Sequence, residues 1–307
     1  MIKHVPVMPA ETLDMLDVRE DGIYVDGTLG RGGHSRLILE KLKTGKLYCF
    51  DLDEEAIKES KENLKDFPNV TFIHDNFMNM DRYVKEVDGI LLDLGVSSPQ
   101  FDEGDRGFSY RYDGPLDMRM DREDSLTAYE VVNGYSEEEI MRVLRDYGEE
   151  RYARSIARKI CEERKKKPIE TTLELVEIVK SALPFRELKK KGHPAKQTFQ
   201  AIRIEVNHEL DSLKTFLSRF DAILRPGGRV VIITFHSLED RLVKHCFKAL
   251  TTVEDDKRIM KRPEEVEKAN YVLLSRKAVT AQEEELESNH RAKSAKVRGV
   301  EKLWQKS

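Results

Sequence analysis

Residues 23–35 decide the fold, and they read Ile23-Tyr24-Val25-Asp26-Gly27-Thr28-Leu29-Gly30-Arg31-Gly32-Gly33-His34-Ser35. The first four form a short apolar run that ends at an acid, and the glycines after it let the backbone approach a ligand closely. Leu37, Ile38 and Leu42 follow at helical spacing. A strand, a glycine-rich turn and a helix N-terminus in this order predict a site for a ligand that contains a nucleoside.

Further strands follow in an alternating strand-and-helix pattern. The apolar runs that predict them lie at residues 46–51, 70–74, 89–93 and 229–235. A helix is predicted at 53–64, and residues 271–276 are a candidate for a later strand. The run 89–93 is apolar until its final acid, as is typical of a strand that is covered on both faces. The pattern predicts an α/β fold in which a parallel sheet has helices on both sides.

The alternation of predicted strands and helices stops after the fourth strand and resumes only before the fifth. Between them, Ser136 with Glu139 and Thr171 with Glu174 have the spacing of capping boxes, and each pair is followed by apolar residues at helical intervals. We therefore predict that an all-helical domain is inserted into the sheet domain. The predicted division is a sheet domain of residues 1–112 and 199–307, with the helical insertion at residues 113–198.

Charge is spread unevenly along the chain. The 307 residues include 53 Lys and Arg and 57 Asp and Glu, which gives a formal net charge of −4. Residues 151–200 nevertheless hold 14 basic and six acidic side chains. Residues 288–298 contain no acid and four basic residues, Arg291, Lys293, Lys296 and Arg298. The chain as a whole is not a general polyanion binder, whereas these two segments permit contact with one.

The cysteines and the apolar runs give an expectation about location. Cys49, Cys161 and Cys246 are scattered, which fits neither a disulfide framework nor a set of metal ligands. No apolar run approaches the roughly 20 residues that span a bilayer. The first residues also lack the apolar core of a signal peptide. We expect a cytoplasmic protein without a membrane anchor or a bound metal.

Acidic residues mark the predicted carboxyl ends of the strands. Asp51 ends the second strand, 25 residues after Asp26, which is where nucleotide-binding sheets hydrogen-bond a ribose. Asp75 and Asp93 follow the third and fourth strands in the same way. Such an acidic rim suits S-adenosylmethionine, which carries a sulfonium and an ammonium group and has no phosphate, better than it suits NAD. An NAD-dependent oxidoreductase is the alternative enzyme.

The segment after the fourth strand reads Asp93-Leu94-Gly95-Val96-Ser97-Ser98-Pro99-Gln100. Alone, Ser-Pro is an ordinary loop signal. In this setting the segment resembles the Asp/Asn/Ser-Pro-Pro-aromatic loop of methyltransferases that act on exocyclic amino groups. The resemblance implies that Ser98 and Pro99 contact the target amine. Gln100 replaces the aromatic residue that stacks on the target base in that loop, and the other candidates for this role are Phe101, Phe108, Tyr110 and Tyr112.

The two segments quoted above and four others resemble, in the same order, the MraW family of bacteria. The other four are Asp113-Gly114-Pro115-Leu116-Asp117-Met118-Arg119-Met120, Tyr147-Gly148-Glu149-Glu150-Arg151, Thr198-Phe199-Gln200-Ala201-Ile202-Arg203 and Phe235-His236-Ser237-Leu238-Glu239-Asp240-Arg241. The resemblance covers nearly the whole chain. It implies a Rossmann-like class I methyltransferase sheet domain with an inserted all-helical domain. The implied activity is S-adenosylmethionine-dependent methylation of the N4 of a decoding-centre cytidine in 16S ribosomal RNA.

The resemblance also implies roles for individual residues. Those implied to contact the cofactor are Gly32, Gly33 and His34 at its methionine end, Asp51 at its ribose, Phe77 at its adenine, and Asp93 and Gln100. His236 follows the fifth strand, close enough to the same rim to contact substrate.

The expected partner is 16S rRNA within the small ribosomal subunit. RNA is expected to contact the basic helical domain, through Lys165–Lys167 and Lys189–Lys191, and the basic segment 291–298. Two alternatives stay open. One is a ribosome-assembly protein that keeps a cofactor pocket without catalysis, and the other is DNA as the methyl acceptor.

Overall fold

The computed structural model of the protein describes residues 6–96, 101, 104–252 and 269–304. The chain forms two compact units, which we call the sheet unit (Met1–Gly95 and Asp211–Ser307) and the helical unit (Val96–Leu210). The helical unit is wider than the insertion that the sequence suggests, 113–198. The reason is that Phe108, Phe199 and Ile202, which lie outside those bounds, are buried in the helical core.

The described part of the sheet unit contains a seven-stranded sheet. Its strands are β1 (Ile23–Asp26), β2 (Lys46–Asp51), β3 (Val70–His74), β4 (Val87–Asp93), β5 (Leu224–Thr234), β6 (Tyr271–Leu273) and β7 (Lys296–Lys302). The strand order is β3-β2-β1-β4-β5-β7-β6. Strands β1 to β5 pair in parallel, and β7 is antiparallel to both β5 and β6. The predicted parallel sheet is confirmed, with an antiparallel pair added at one side.

The described helices, in chain order, are α1 (Pro9–Leu16), α2 (Gly33–Lys41), α3 (Glu54–Asn63), α4 (Ala128–Gly134), α5 (Glu137–Gly148), α6 (Ala153–Arg164), α7 (Thr172–Ala182), α8 (Phe185–Leu188), α9 (Lys196–Asn207), α10 (Glu209–Arg219), α11 (Ser237–Leu250) and α12 (Glu283–Ser288). Along β4, Ile90 and Leu92 pack in one core cluster and Leu91 in the other, because neighbouring side chains point to opposite faces. Helices α1, α2 and α3 contribute to the cluster of Leu91, and α10 and α11 contribute to that of Ile90. Both faces of the sheet are therefore covered, as predicted.

The helical unit has its own core. Leu144 of α5, Ile156 of α6 and Leu175 of α7 are fully buried there. The capping boxes predicted at Ser136 and Thr171 are confirmed at the N-termini of α5 and α7. The described residues of this unit form helices and connecting segments, apart from one isolated β-bridge. The prediction of an all-helical segment therefore holds for them.

Three elements differ from the sequence expectation. Strand β5 begins at Leu224, earlier than the predicted 229–235; Leu224 pairs with Val87, and the register of the pairing shifts between Val87 and Gly89. Apolar residues recur at helical spacing from Phe199 to Phe220, but this stretch divides into the two helices α9 and α10, because His208 adopts a left-handed conformation with φ of 50°. Strand β7 was not anticipated, since its alternating residues were interpreted as part of a basic surface segment.

Among the described residues, no helix combines the length and apolar character that crossing a membrane requires. Cys49 and Cys161 are buried free thiols, and Cys246 is a half-buried one.

Candidate cofactor site

The glycine-rich turn between β1 and α2 lies at the carboxyl ends of the parallel strands. Gly27 N–H donates to the carbonyl oxygen of Leu91 at 2.9 Å, which ties the turn to β4. Gly30 and Gly32 have φ of 51° and 79°, in the left-handed region that favours glycine. A Cβ on Gly30 would find no heavy atom within 4 Å. The turn therefore presents backbone to open space at the edge of the sheet.

Asp26, the last residue of β1, holds this turn in place. Its Oδ2 accepts a hydrogen bond from Ser35 Oγ at 2.6 Å, and its Oδ1 accepts one from Thr28 N–H at 3.1 Å. The side chain is 1% exposed, and this burial raises the pKa of Asp26. Asp26 therefore stabilises the turn from within rather than offering an oxygen to a ligand.

Asp51, the last residue of β2, contacts the same turn from the neighbouring strand. Its Oδ2 accepts a hydrogen bond from Gly30 N–H at 2.8 Å, and its Oδ1 accepts one from Asp53 N–H at 2.9 Å. Burial raises the pKa of Asp51 to about 6. A carboxylate has about four lone-pair positions, so each oxygen can still accept a further hydrogen bond. Asp51 is thus a preorganised acceptor for hydroxyl groups of a ligand.

His34, near the start of α2, is a buried and neutral ring. Its Nε2 lies 2.9 Å from the carbonyl oxygen of Val7, which can only accept, so Nε2 carries the proton. Burial lowers the pKa of His34. The unprotonated Nδ1 then lies 3.5 Å from Asp93 Oδ2. His34 therefore ties the start of α2 to the segment before α1, and its ring packs inside the sheet unit, next to the end of β4.

Asp93, the last residue of β4, combines burial with incomplete hydrogen bonding. Its backbone N–H donates to Thr28 Oγ1 at 2.6 Å, which fixes the residue against the glycine-rich turn. Burial raises the pKa of the Asp93 carboxyl to about 7, and the positive charge of Arg291 acts in the opposite direction. Its Oδ1 is buried without a hydrogen-bond partner among the described residues. Such an atom is costly to leave unpaired, which favours a ligand with a cationic or donor group at this point.

A segment far along the chain completes the surroundings of Asp93. The Arg291 guanidinium lies 5.8 Å from the centroid of the Phe235 ring. That ring also packs on Gly95, where a Cβ would come within 3.3 Å of it. Met8 N–H donates to Glu285 Oε1 at 2.7 Å. No local pattern predicts the contact of Glu285 or this position of Arg291, because both contacts join residues that are far apart in the chain.

His236 lies directly before α11, beyond the end of β5. Its Nε2 is 3.0 Å from Glu239 Oε1, and both side chains are almost entirely buried. The other oxygen of Glu239 accepts hydrogen bonds from the backbone N–H groups of Phe235 and His236. Glu239 therefore fixes the turn from β5 into α11, a role that the sequence analysis missed although Glu239 has capping-box spacing from His236.

Phe77, Gly32 and Gly33 are the other predicted site residues that the structure describes. Phe77 begins a 3₁₀ turn after β3, is half-buried, and meets the Phe216 ring edge-on with centroids 6.0 Å apart. Gly32 and Gly33 lie at the N-terminus of α2. The predicted contacts Ser98, Pro99 and Gln100 lie outside the described residues.

The aromatic candidates for base stacking lie in the helical unit. Phe108 is buried in its core. Tyr110 stacks on His193 with centroids 4.4 Å apart and also meets the ring of Phe101 edge-on. Tyr112 is 55% exposed. Packing already occupies Phe108 and Tyr110, whereas the ring of Tyr112 is accessible.

The basic clusters of the helical unit are exposed and partly paired. Lys166 Nζ lies 2.9 Å from Glu163 Oε2, and Lys167 Nζ lies 2.9 Å from Glu174 Oε1. These pairs are on the surface, where water and salt screen them, so the lysines can exchange an acid for a phosphate at little cost.

The basic segment 291–298 belongs to the sheet unit and is less available than its sequence suggests. Lys296 and Arg298 are residues of β7, and both pair with Asp240, at 3.1 and 2.7 Å. The Arg298 side chain is 16% exposed. Two of the four cations in this segment therefore hold β7 against α11.

The chain was compared with known families and solved structures. The model of the MraW methylase family matches residues 1–303. An rRNA methylase from Streptococcus thermophilus is 14% identical, with 99% of each chain covered and a TM-score of 0.41. An SAM-dependent O-methyltransferase from Thermotoga maritima is 11% identical, with all of this chain and 70% of that chain covered and a TM-score of 0.41. NSun6 from Pyrococcus horikoshii, solved with SFG, is 13% identical, with 98% of this chain and 53% of that chain covered and a TM-score of 0.43.

Proposed function

Because the chain belongs to the MraW methylase family, we propose that it methylates the exocyclic N4 of a decoding-centre cytidine in 16S rRNA. The protein is an S-adenosylmethionine-dependent methyltransferase. The choice of a cytidine amine is supported by one observation above all. Strand β4 ends at Asp93, beside the glycine-rich turn, and the segment that begins there resembles the loop of amino-group methyltransferases.

The carboxyl edge of the sheet fits S-adenosylmethionine in its chemistry. Asp51 offers acceptor positions for the two ribose hydroxyls, and its other hydrogen bonds hold it in place. Asp93 offers an unpaired carboxylate oxygen to the ammonium of the methionine part. The open backbone around Gly30 leaves room for a ligand. Phe77 borders the adenine in this proposal, and Gly32, Gly33 and His34 form the wall at the methionine end.

The chain's own residues position the reactants. When bound, S-adenosylmethionine supplies an electrophilic methyl group that the N4 amine can take in one in-line displacement. We propose that oxygens of the loop at Ser98 and Pro99 accept hydrogen bonds from the amine, which frees its ring-conjugated lone pair. A methylated amine that still holds its extra proton is acidic, so no strong base is required. The protein contributes mainly orientation.

The cytidine must reach this edge unpaired or flipped out of its helix. The basic surface of the helical unit supports RNA as the carrier, since Lys165–Lys167 and Lys189–Lys191 add positive charge that phosphates can meet. We propose 16S rRNA in the small ribosomal subunit as the substrate, and the cytoplasm as the place where the two meet.

The test uses the purified protein, radiolabelled S-adenosylmethionine and small ribosomal subunits that lack their native methylation, followed by mass spectrometry of the nucleosides. We expect N4-methylcytidine to appear. Subunits that already carry the modification are the matched control, and they should accept no label.

Four other results would count against the proposal. Label on another nucleoside would reject the N4 amine of cytidine as the methyl acceptor. Label on DNA but not on subunits would reject RNA as the substrate. Binding of S-adenosylmethionine without any transfer would favour a ribosome-assembly protein that has kept its cofactor pocket. Protection of the protein from heat unfolding by NAD and not by S-adenosylmethionine would reject S-adenosylmethionine as the cofactor.

A further inference from the structure

The helical unit exposes one aromatic ring among basic side chains. Phe185 begins the short helix α8 and is 71% exposed. One exposed apolar ring is ordinary on a folded unit, so what it can bind depends on the side chains around it. The neighbouring lysines are predicted to contact phosphates, whereas no role is predicted for this ring.

The position of α8 is fixed by side chains other than Phe185. Tyr152, directly before α6, donates its hydroxyl to Glu187 Oε1 at 3.2 Å and accepts a hydrogen bond from Arg186 Nη2 at 3.4 Å. Lys190 Nζ lies 2.6 Å from Glu187 Oε2. These contacts hold the turn of helix against α6. The ring of Phe185 is therefore exposed on a supported element rather than on an unsupported loop.

The surroundings of the ring are positive. Residues 183–196 contain five basic side chains and one acid, Glu187, which the contacts just described already engage. Lys189 Nζ lies 4.5 Å from the centroid of the Phe185 ring, close enough for a cation–π contact. Arg186 is 72% exposed, and Lys191 is exposed as well.

We propose that Phe185 stacks on an unpaired base of the RNA substrate, while Arg186, Lys189 and Lys191 contact the adjacent phosphates. An exposed aromatic ring beside cations is the combination by which single-stranded nucleic acid is held without sequence preference. A positive rim favours a polyanion over an apolar protein surface. The inference rests on the proposed function, because it assigns a second contact to the same RNA.

The test measures binding of the full-length protein to a labelled, unstructured 12-nucleotide RNA by fluorescence anisotropy. Phe185→Ala should raise the dissociation constant about tenfold, the effect of losing one base–aromatic stack. Phe185→Trp keeps a stacking surface and should bind as tightly as the unaltered protein or more tightly. Tyr129→Ala is the matched control, since it removes a partly exposed aromatic ring of the same unit and should leave binding unchanged.

The dependence on salt separates stacking from charge. Lys189→Gln with Lys191→Gln should lower the slope of log Kd against log salt by about 0.7 per lost phosphate contact. Phe185→Ala should weaken binding at every salt concentration with the slope unchanged. A merely structural role of Phe185 would change the melting temperature instead, and would not be rescued by tryptophan.

The results that overturn this inference differ from those that overturn the proposed function. Equal RNA affinity of Phe185→Ala and Tyr129→Ala would overturn the stacking while methyl transfer by the unaltered protein persisted. So would a Phe185→Ala variant that binds naked RNA normally but assembled subunits weakly, since the ring would then cover a protein surface. Failure of the unaltered protein to methylate cytidine in subunits concerns the proposed function alone.

Discussion

Charged residues are used in opposite ways in the two units. In the sheet unit, Asp51 and Asp93 sit at the ends of strands, and burial raises the pKa of both carboxyl groups. In the helical unit, Lys166, Lys167 and Lys190 extend into solvent and pair with nearby acids. The first group is buried and costly to ionise, whereas the second is exposed and screened by water and salt.

The contrast shows which charges carry specificity. An ionised carboxylate with a buried, unpaired oxygen destabilises the folded protein until a positive group binds beside it. The affinity for a cationic ligand therefore depends strongly on whether the carboxyl group is ionised. An exposed ion pair contributes about 0–1 kcal/mol and exchanges partners readily. We therefore expect substitutions at the carboxylates to change cofactor binding strongly, and substitutions at the lysines to change RNA binding modestly.

The largest effect is expected for Asp93→Asn. Loss of the negative charge should weaken S-adenosylmethionine binding by about 100-fold at pH 8, since it removes the proposed partner of the cofactor's ammonium. Calorimetric titration measures this. Asp66→Asn, which neutralises an exposed acid of the same unit, is the control and should bind the cofactor normally.

The pH dependence sharpens this prediction. Because the Asp93 pKa is about 7 in the folded protein, cofactor affinity should fall as pH drops below about 7. The cofactor affinity of Asp93→Asn should not show this fall. The folded state binds the Asp93 proton more tightly than the unfolded state, so stability is lost as pH rises from about 4 to about 7. Asp93→Asn should therefore unfold at higher denaturant than the unaltered protein at pH 8, and this gap should close towards pH 4. A variant that is less stable at pH 8 would contradict this account.

A smaller loss is expected for Asp51→Ala. Removing the acceptor for the ribose hydroxyls should weaken S-adenosylmethionine binding about tenfold, the typical effect of a hydrogen bond to a charged group. Methionine analogues that lack the adenosine are the control, because they should bind the variant and the unaltered protein equally well. Unchanged affinity for the whole cofactor would contradict the ribose assignment.

The smallest effect on stability is expected for Lys166→Gln with Lys167→Gln. Both ion pairs are exposed, so the free energy of unfolding should change by less than about 1 kcal/mol. RNA binding should weaken a few-fold at low salt and lose part of its salt dependence. Lys58→Gln with Lys61→Gln, on the exposed side of α3, is the matched control and should leave both quantities unchanged. Identical RNA affinity of the two double variants would show that Lys166 and Lys167 do not contact the RNA.

Local patterns were sufficient to predict most of the sheet. Strands β1, β2 and β3 were predicted with the bounds that the structure has, because each is a compact apolar run between turn signals. The capping boxes at Ser136 and Thr171 were equally local. Strand β7 was missed although Val297 and Val300 are buried, because Lys296 and Arg298, on either side of Val297, suggested a surface segment.

The candidate site was predictable only in part. Asp51 and Asp93 could be placed at one sheet edge, since parallel strands end together. The contacts of His34 with Val7 and of Glu285 with Met8 depend on pairings that no local pattern specifies. The roles predicted for Ser98, Pro99 and Gln100 rest on the family resemblance and stay predictions.

The position of β7 has a consequence for the time course of synthesis. Thr234 of β5 pairs with Lys296 of β7, 62 residues later in the chain. A ribosome that adds about 5–20 residues per second therefore leaves this edge of β5 without its partner for roughly 3–12 s. Unpaired strand edges promote association between chains during such an interval. The contact of Glu285 with Met8 needs the same late segment, so the cofactor site is among the last parts of the sheet unit to be completed.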